Sequence, residues 1–168
     1  MAKNFYHGTS MRDAFGVLES GEILSPWYQK VRSLEKEDED YRRFILDLNN
    51  VDSVEEAALE EVSGLYADHE LEYRAKSVSL TSDFDLARSY AKFYDECYGV
   101  VLGLSNDYVD SFEEKGRGVI YVPKLVSIEN SLKEIFWISE KGKSMSWYLD
   151  FLSLGQEKYG VEPKILGR

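Results

Sequence analysis

Between residues 4 and 21 the chain passes from a strand pattern to a helix pattern with no linker. Residues 4–7 open Phe5-Tyr6-His7-Gly8-Thr9-Ser10, and read as a short strand. Ser10 then fits a helix N-cap, with Asp13 three residues on, the spacing of a capping box. Met11, Ala14, Phe15 and Leu18 fall at i, i+3, i+4 and i+7, one face of a helix. Gly21 is a natural C-terminal stop. The same change of period recurs later. Val78 and Leu80 alternate with Ser77, Ser79 and Thr81. Ser82 then stands as a cap with Asp85 three residues on, and Ala87, Tyr90, Ala91 and Tyr94 share a helix face. A chain that twice runs from strand into capped helix must layer helices against a sheet.

The remaining segments complete an α+β reading. Glu22 to Ser25 is a short strand candidate before Pro26. Gly99 to Leu104, Gly118 to Val122 and Ile135 to Ile138 are apolar strand candidates. Ser144 to Tyr159 reads as a helix anchored by Trp147, Leu149, Phe151 and Leu152. Residues 29–75 differ in character. They carry many acids and two apolar stripes, Tyr41–Phe44–Ile45–Leu48 and, after a second cap at Ser53 and Glu56, Ala58–Val62–Leu65–Tyr66. This stretch is expected to be a helical insertion packed through those stripes. Its acidic residues, Glu35 to Asp40, form a solvated face. The sheet is expected to be mixed or antiparallel, in one domain spanning residues 1–168.

Composition narrows the function classes. The chain has 168 residues and a net charge of −11, with no run of Lys and Arg, so a general grip on a nucleic-acid backbone is not expected. Small basic spots occur at Lys115, Arg117, Lys141 and Lys143. One cysteine, Cys97, excludes an internal disulfide and a cysteine-rich zinc site, and fits a reducing compartment. The start Met-Ala-Lys-Asn lacks an apolar export core and no apolar run reaches membrane-spanning length, so a cytoplasmic protein is expected.

Three residues draw attention beyond packing. His7 ends a strand before a glycine. A histidine there is often satisfied by a neighbouring carbonyl, but it also supplies a directed hydrogen bond, and Gly8 lets a ligand approach the main chain. Tyr90 at helical spacing with two alanines reads first as core. Its small neighbours would equally leave room for a flat heterocycle. Glu134 opens the apolar run Ile135 to Ile138, and a carboxylate at the mouth of a buried strand is tuned by desolvation. Glu129 and Glu140 are competing acids in more polar surroundings.

In order, these segments resemble the ADP-ribosyltransferase superfamily, in its histidine–tyrosine–glutamate branch, which includes the diphtheria-toxin-like and poly-ADP-ribose polymerase-like proteins. His7-Gly8-Thr9 is similar to the first motif. Ser77 to Ser82 with Ala87-Arg88-Ser89-Tyr90 is similar to the second, and Glu134-Ile135-Phe136-Trp137-Ile138 to the third. The resemblance implies a split α+β sheet, NAD as substrate and no metal. It implies that His7 binds the adenosine-side or nicotinamide-side ribose and is catalytic with Glu134, that the Gly8 main chain pairs with the nicotinamide amide, that Thr9 belongs to the same cofactor site, and that Tyr90 stacks on the nicotinamide ring. Glu134 would stabilise the oxocarbenium charge as nicotinamide leaves. The sequence departs from the family at Ser79, where tyrosine is usual, and at Ala87, where a serine donates to the amide. That bond would then be missing, or supplied by Ser79 or Thr81. Leu132, two residues before Glu134, removes the paired-glutamate pattern of arginine-modifying members. The acceptor of ADP-ribose (protein, nucleic acid or small molecule) is not named by these residues. Two other readings fit the same features: an NAD-dependent RNA 2′-phosphotransferase-like enzyme, and a non-catalytic acidic module that engages a basic partner.

Overall fold

The structure is a computed structural model and describes residues 4–63, 72–94, 98–105, 112–114, 118–139 and 145–166. It is α+β with a mostly antiparallel sheet. The elements run β1 (Asn4–Ser10), α1 (Met11–Ser20), β2 (Glu22–Leu24), α2 (Pro26–Glu35), α3 (Glu39–Asn49), α4 (Val54–Ser63), α5 (Glu72–Ala75), β3 (Ser77–Thr81) and α6 (Phe84–Tyr94). They continue with β4 (Tyr98–Ser105), β5 (Phe112–Glu114), β6 (Val119–Pro123), β7 (Leu125–Ser127), β8 (Leu132–Ser139), α7 (Met145–Tyr159) and β9 (Lys164–Leu166). Seven strands form one sheet in the order β5-β6-β3-β1-β4-β8-β9, while β2 and β7 form a two-stranded sheet. Among the described residues no helix is long and apolar enough to cross a membrane.

The entry into α1 follows its sequence signals. Ser10 Oγ accepts from the Asp13 N–H at 3.1 Å, and Gly21 closes the helix at φ 80°, a left-handed conformation that costs glycine little. At α6 the cap is Asp83 and not Ser82: its Oδ1 accepts from the N–H groups of Asp85 and Leu86. Asp83 wins because its carboxylate reaches both amides and favours the positive helix end. Helix α2 carries a plain signal in Ser25 and Pro26, an N-cap with proline in the first turn.

The chain divides into two compact units where one domain is expected from length. The first comprises Met1–Ile23, Ser79–Ile120 and Ser127–Arg168, the second Leu24–Val78 and Tyr121–Val126. The stretch 29–75 falls within the second unit.

In the first unit, β1 pairs antiparallel with β4, and β4 with β8. Cross-strand partners share a face and neighbours along a strand alternate. Tyr6, Gly103 and Glu134 therefore point one way, together with Gly8, Val101 and Phe136. His7, Leu102 and Ile135 point the other way, with Thr9, Val100 and Trp137. Helix α6 covers the first face: Ala87 and Ala91 pack with Val101, Ile138, Tyr6, Phe84 and Phe136. On the second face, Phe151 of α7 meets Trp137 and also Phe15 of α1 at ring-centroid separations of 5.1 and 5.0 Å.

In the second unit, α2, α3 and α4 bury Val31, Leu34, Ile45, Ala57 and Ala58. The Trp27 indole N–H donates to the Glu55 carbonyl at 3.0 Å. The cap at Ser53 and Glu56 forms as expected: Glu56 N–H donates to Ser53 Oγ, and Asp52 N–H to Glu56 Oε2. The α3 stripe does not pack as a whole. Ile45 is buried, whereas Tyr41, Phe44 and Leu48 are 44%, 58% and 67% exposed. Successive residues on a helix turn by about 100°, so a stripe this wide buries only the edge that meets its neighbours. Leu65 and Tyr66 lie outside the described residues, as do the side chains of Tyr94 and Trp147.

Candidate functional site

The first unit holds the residues singled out for chemistry, and β1 carries three of them, His7, Gly8 and Thr9. Between β1 and β3 the pairing is the one partner set Tyr6–Thr81. Beyond it the imidazole takes over from the ladder: His7 Nδ1 lies 3.0 Å from the Ser79 carbonyl oxygen. A carbonyl only accepts, so Nδ1 carries the hydrogen. Burial holds the His7 pKa below its ordinary value, against the opposing pull of the Ser79 carbonyl and, more weakly, of the Asp13 carboxylate. The ring is thereby kept neutral near pH 7, with Nε2 as a hydrogen-bond acceptor. An acceptor on a half-buried strand edge suits a hydroxyl donor, such as a sugar OH.

Gly8 faces the other way, against α6. A Cβ there would overlap the Ala87 carbonyl oxygen and stand 2.9 Å from the Ala91 nitrogen. Gly99, the β4 partner of Ser10, has the same constraint: a Cβ would meet the Ala91 carbonyl oxygen at 2.7 Å. The glycine of the His-Gly-Thr segment thus seats a helix. Its Cα face is filled by protein main chain, so a ligand approaching Gly8 is confined to its peptide edges.

The other residues divide by exposure and bonding. Thr9 is buried. Ser79 is exposed, and its carbonyl is the one that holds His7. Thr81 is buried and fully used: its hydroxyl donates to the Gly118 carbonyl at 2.9 Å and accepts from the Asp83 N–H at 3.0 Å. The expectation that Thr81 donates to a nicotinamide amide does not fit, because its single O–H is already committed. Ala87 is fully buried under Gly8. Tyr90, one turn along α6, is 42% exposed rather than core, so its ring is open to a partner.

Glu134 is not brought to His7. The pairing places it two strands away and on the opposite face of the sheet, beside Gly103 and Tyr6. There its Oε1 is 3.0 Å from Lys164 Nζ, and that ammonium also lies 5.3 Å from the centre of the Phe136 ring. Phe136, Phe84 and Tyr6 continue as edge-to-face rings. The period-2 alternation that makes β8 a strand also fixes this outcome: Glu134 is in register with Tyr6, not with His7. Of the competing acids, Glu129 lies against Gly21, and Glu140 lies outside the described residues. The carboxylate that His7 does feel is Asp13, held by Ser10 Oγ at 2.8 Å. In the sequence its capping role accounts for it fully; only the turn of α1 back past β1 brings its charge toward the imidazole.

No family model matches the chain, and neither the curated proteins nor the solved structures yield a match.

Proposed function

We propose that the chain binds NAD along the His7 edge of β1 and cleaves its nicotinamide–ribose bond, passing ADP-ribose to an acceptor. The observation that carries this reading is the His7–Ser79 hydrogen bond. It fixes the tautomer, which leaves Nε2 as an acceptor for a ribose hydroxyl. The order of the motifs supports the same reading, in which Tyr90, exposed on the helix that covers the opposite face of the sheet from His7, takes the nicotinamide ring across the His7 edge of β1. Stacking on such a ring contributes about 0.5–1.5 kcal/mol beyond area burial. Glu134, on the other face, contributes the Lys164 ion pair and no chemistry at this edge.

NAD should raise the melting temperature, because a ligand that binds only the folded state stabilises it. At about a hundred times Kd the gain is about 2.7 kcal/mol, or about 5–10 °C for a chain of this size. Tyr90→Ala should weaken binding about 2- to 10-fold. The reading fails if millimolar NAD leaves the wild-type melting temperature unmoved.

A further inference from the structure

Among the described residues six large apolar side chains are exposed, and three of them stand on one helix of the second unit. They are Tyr41, Phe44 and Leu48 of α3. A single exposed apolar side chain is ordinary, but a row of them marks a surface that meets something. At about 100° per residue the three fall within about 60° of arc, so they form one continuous ridge. Ile45, next to that ridge, turns into the core with Leu34 and Ala57. The helix is thus held to its unit by one side and carries the ridge on the other.

The spacing of the ridge is that of a coiled-coil seam. Tyr41, Phe44 and Leu48 stand at successive a, d and a positions of a heptad. The g position before each a is an aspartate, Asp40 and Asp47. Both are exposed, and they lie seven residues and about 10 Å apart along one flank of the ridge. The arginines of α3 do not neutralise that flank. Arg42 turns to the core side beside Leu46 and Ala57, and Arg43 is paired with Glu39 at 3.1 Å. The turn before the helix adds exposed Glu35, Glu37 and Asp38, with Lys36 the one cation among them.

We propose that this face of α3 docks an amphipathic helix of another protein, one whose apolar row is flanked by Lys and Arg. The ridge supplies aromatic and aliphatic anchors, and the acidic flank selects the charge of the partner. A second copy of the chain does not match it. Two antiparallel copies would set each Asp47 against the other's Asp40. In a parallel pair the residue facing the aspartate is Ile45, which is already buried in its own unit. The proposal uses no residue of the His7 edge, so it stands apart from NAD binding.

The probe is a fluorescein-labelled peptide of three heptads, with Leu at a and d and Lys at e and g, titrated with the full chain and followed by anisotropy. One control has the same residues in scrambled order, and the other has Glu in place of Lys. The wild type should bind the Lys peptide at least about tenfold more tightly than either control. Phe44→Ser and Leu48→Ser should each weaken binding about tenfold while melting within about 2 °C of the wild type. Asp47→Asn should weaken binding about two- to fivefold and flatten its salt dependence. Sedimentation should show no self-association that Leu48→Ser removes. The proposal is overturned if the scrambled peptide binds as tightly as the Lys peptide, or if Phe44→Ser and Leu48→Ser keep the wild-type affinity. It is equally overturned if the wild type forms a dimer that Leu48→Ser dissolves, since a second copy then covers the ridge.

Discussion

Two adjacent residues of β1 do opposite work. Gly8 is a packing residue: any added Cβ would overlap the Ala87 carbonyl oxygen, so Gly8→Ala must push α6 off the strand. The expected cost is above about 3 kcal/mol, the range of severe overpacking or worse, read as a drop of at least about 6–12 °C in melting temperature. His7 is the residue proposed to meet the ligand, and it carries a proton signature. Its folded-state pKa lies below the unfolded value of 6.5. The folded protein therefore binds this proton less readily than the unfolded chain does. The contribution to stability is complete above about pH 6.5. It is lost as the pH falls from there toward the folded-state pKa, with a slope of at most about 1.4 kcal/mol per unit. His7→Gln should flatten this part of the stability profile, measured as melting temperature from pH 7.5 to 5 against the wild type. NAD affinity of the wild type should hold until the pH falls through the folded-state pKa and drop below it, because a proton on Nε2 removes the acceptor.

At the scale of elements, α3 shows how far a pattern can be read. Tyr41, Phe44, Ile45 and Leu48 share a face in sequence, yet only Ile45 reaches the core. Phe44→Ser and Leu48→Ser should each change stability by no more than about 0.5 kcal/mol, as for exposed sites, whereas Ile45→Ala should cost about 2–4 kcal/mol. Thermal melts of the three variants check this ranking. What is legible in a sequence is what local chemistry decides. The cap at Ser10, the stop at Gly21 and the strand periods of β3 and β8 are set by residues within one turn or one pleat, and they form as read. Asp83 displaces Ser82 as a cap because two acceptors compete at adjacent positions, and spacing alone does not choose between them. Helix α2 carries its signal in Ser25 and Pro26, but a proline after a short apolar run reads as a strand stop and equally as a helix start. The pairings of β2 with β7 and of β8 with β9 depend on partners distant in sequence, which no local period encodes.

At the scale of the molecule, the candidate site is half legible. Local motif order identifies His7, Gly8 and Tyr90 as a group, and all three belong to one unit, with Tyr90 on the helix that covers the face opposite His7. The same motif order points to Glu134, which falls elsewhere, because the face it occupies is set by its register through β4 to β1. That register is a property of three paired strands, not of Glu134 and the apolar run behind it. The consequence for energetics is modest. The Glu134–Lys164 pair is partly exposed, with the lysine side chain 59% accessible, so Glu134→Gln should cost no more than about 1 kcal/mol. The consequence for mechanism is larger. An edge centred on a neutral imidazole presents a hydrogen-bond acceptor without help from Glu134.

Nicotinamide release from NAD, followed by chromatography for the wild type, His7→Ala and Glu134→Gln, is the decisive measurement. Release by the wild type, a loss of at least tenfold in His7→Ala, and a rate within about twofold of the wild type in Glu134→Gln are the expected results. No release by the wild type at millimolar NAD, or a rate that collapses in Glu134→Gln and survives in His7→Ala, would contradict the account.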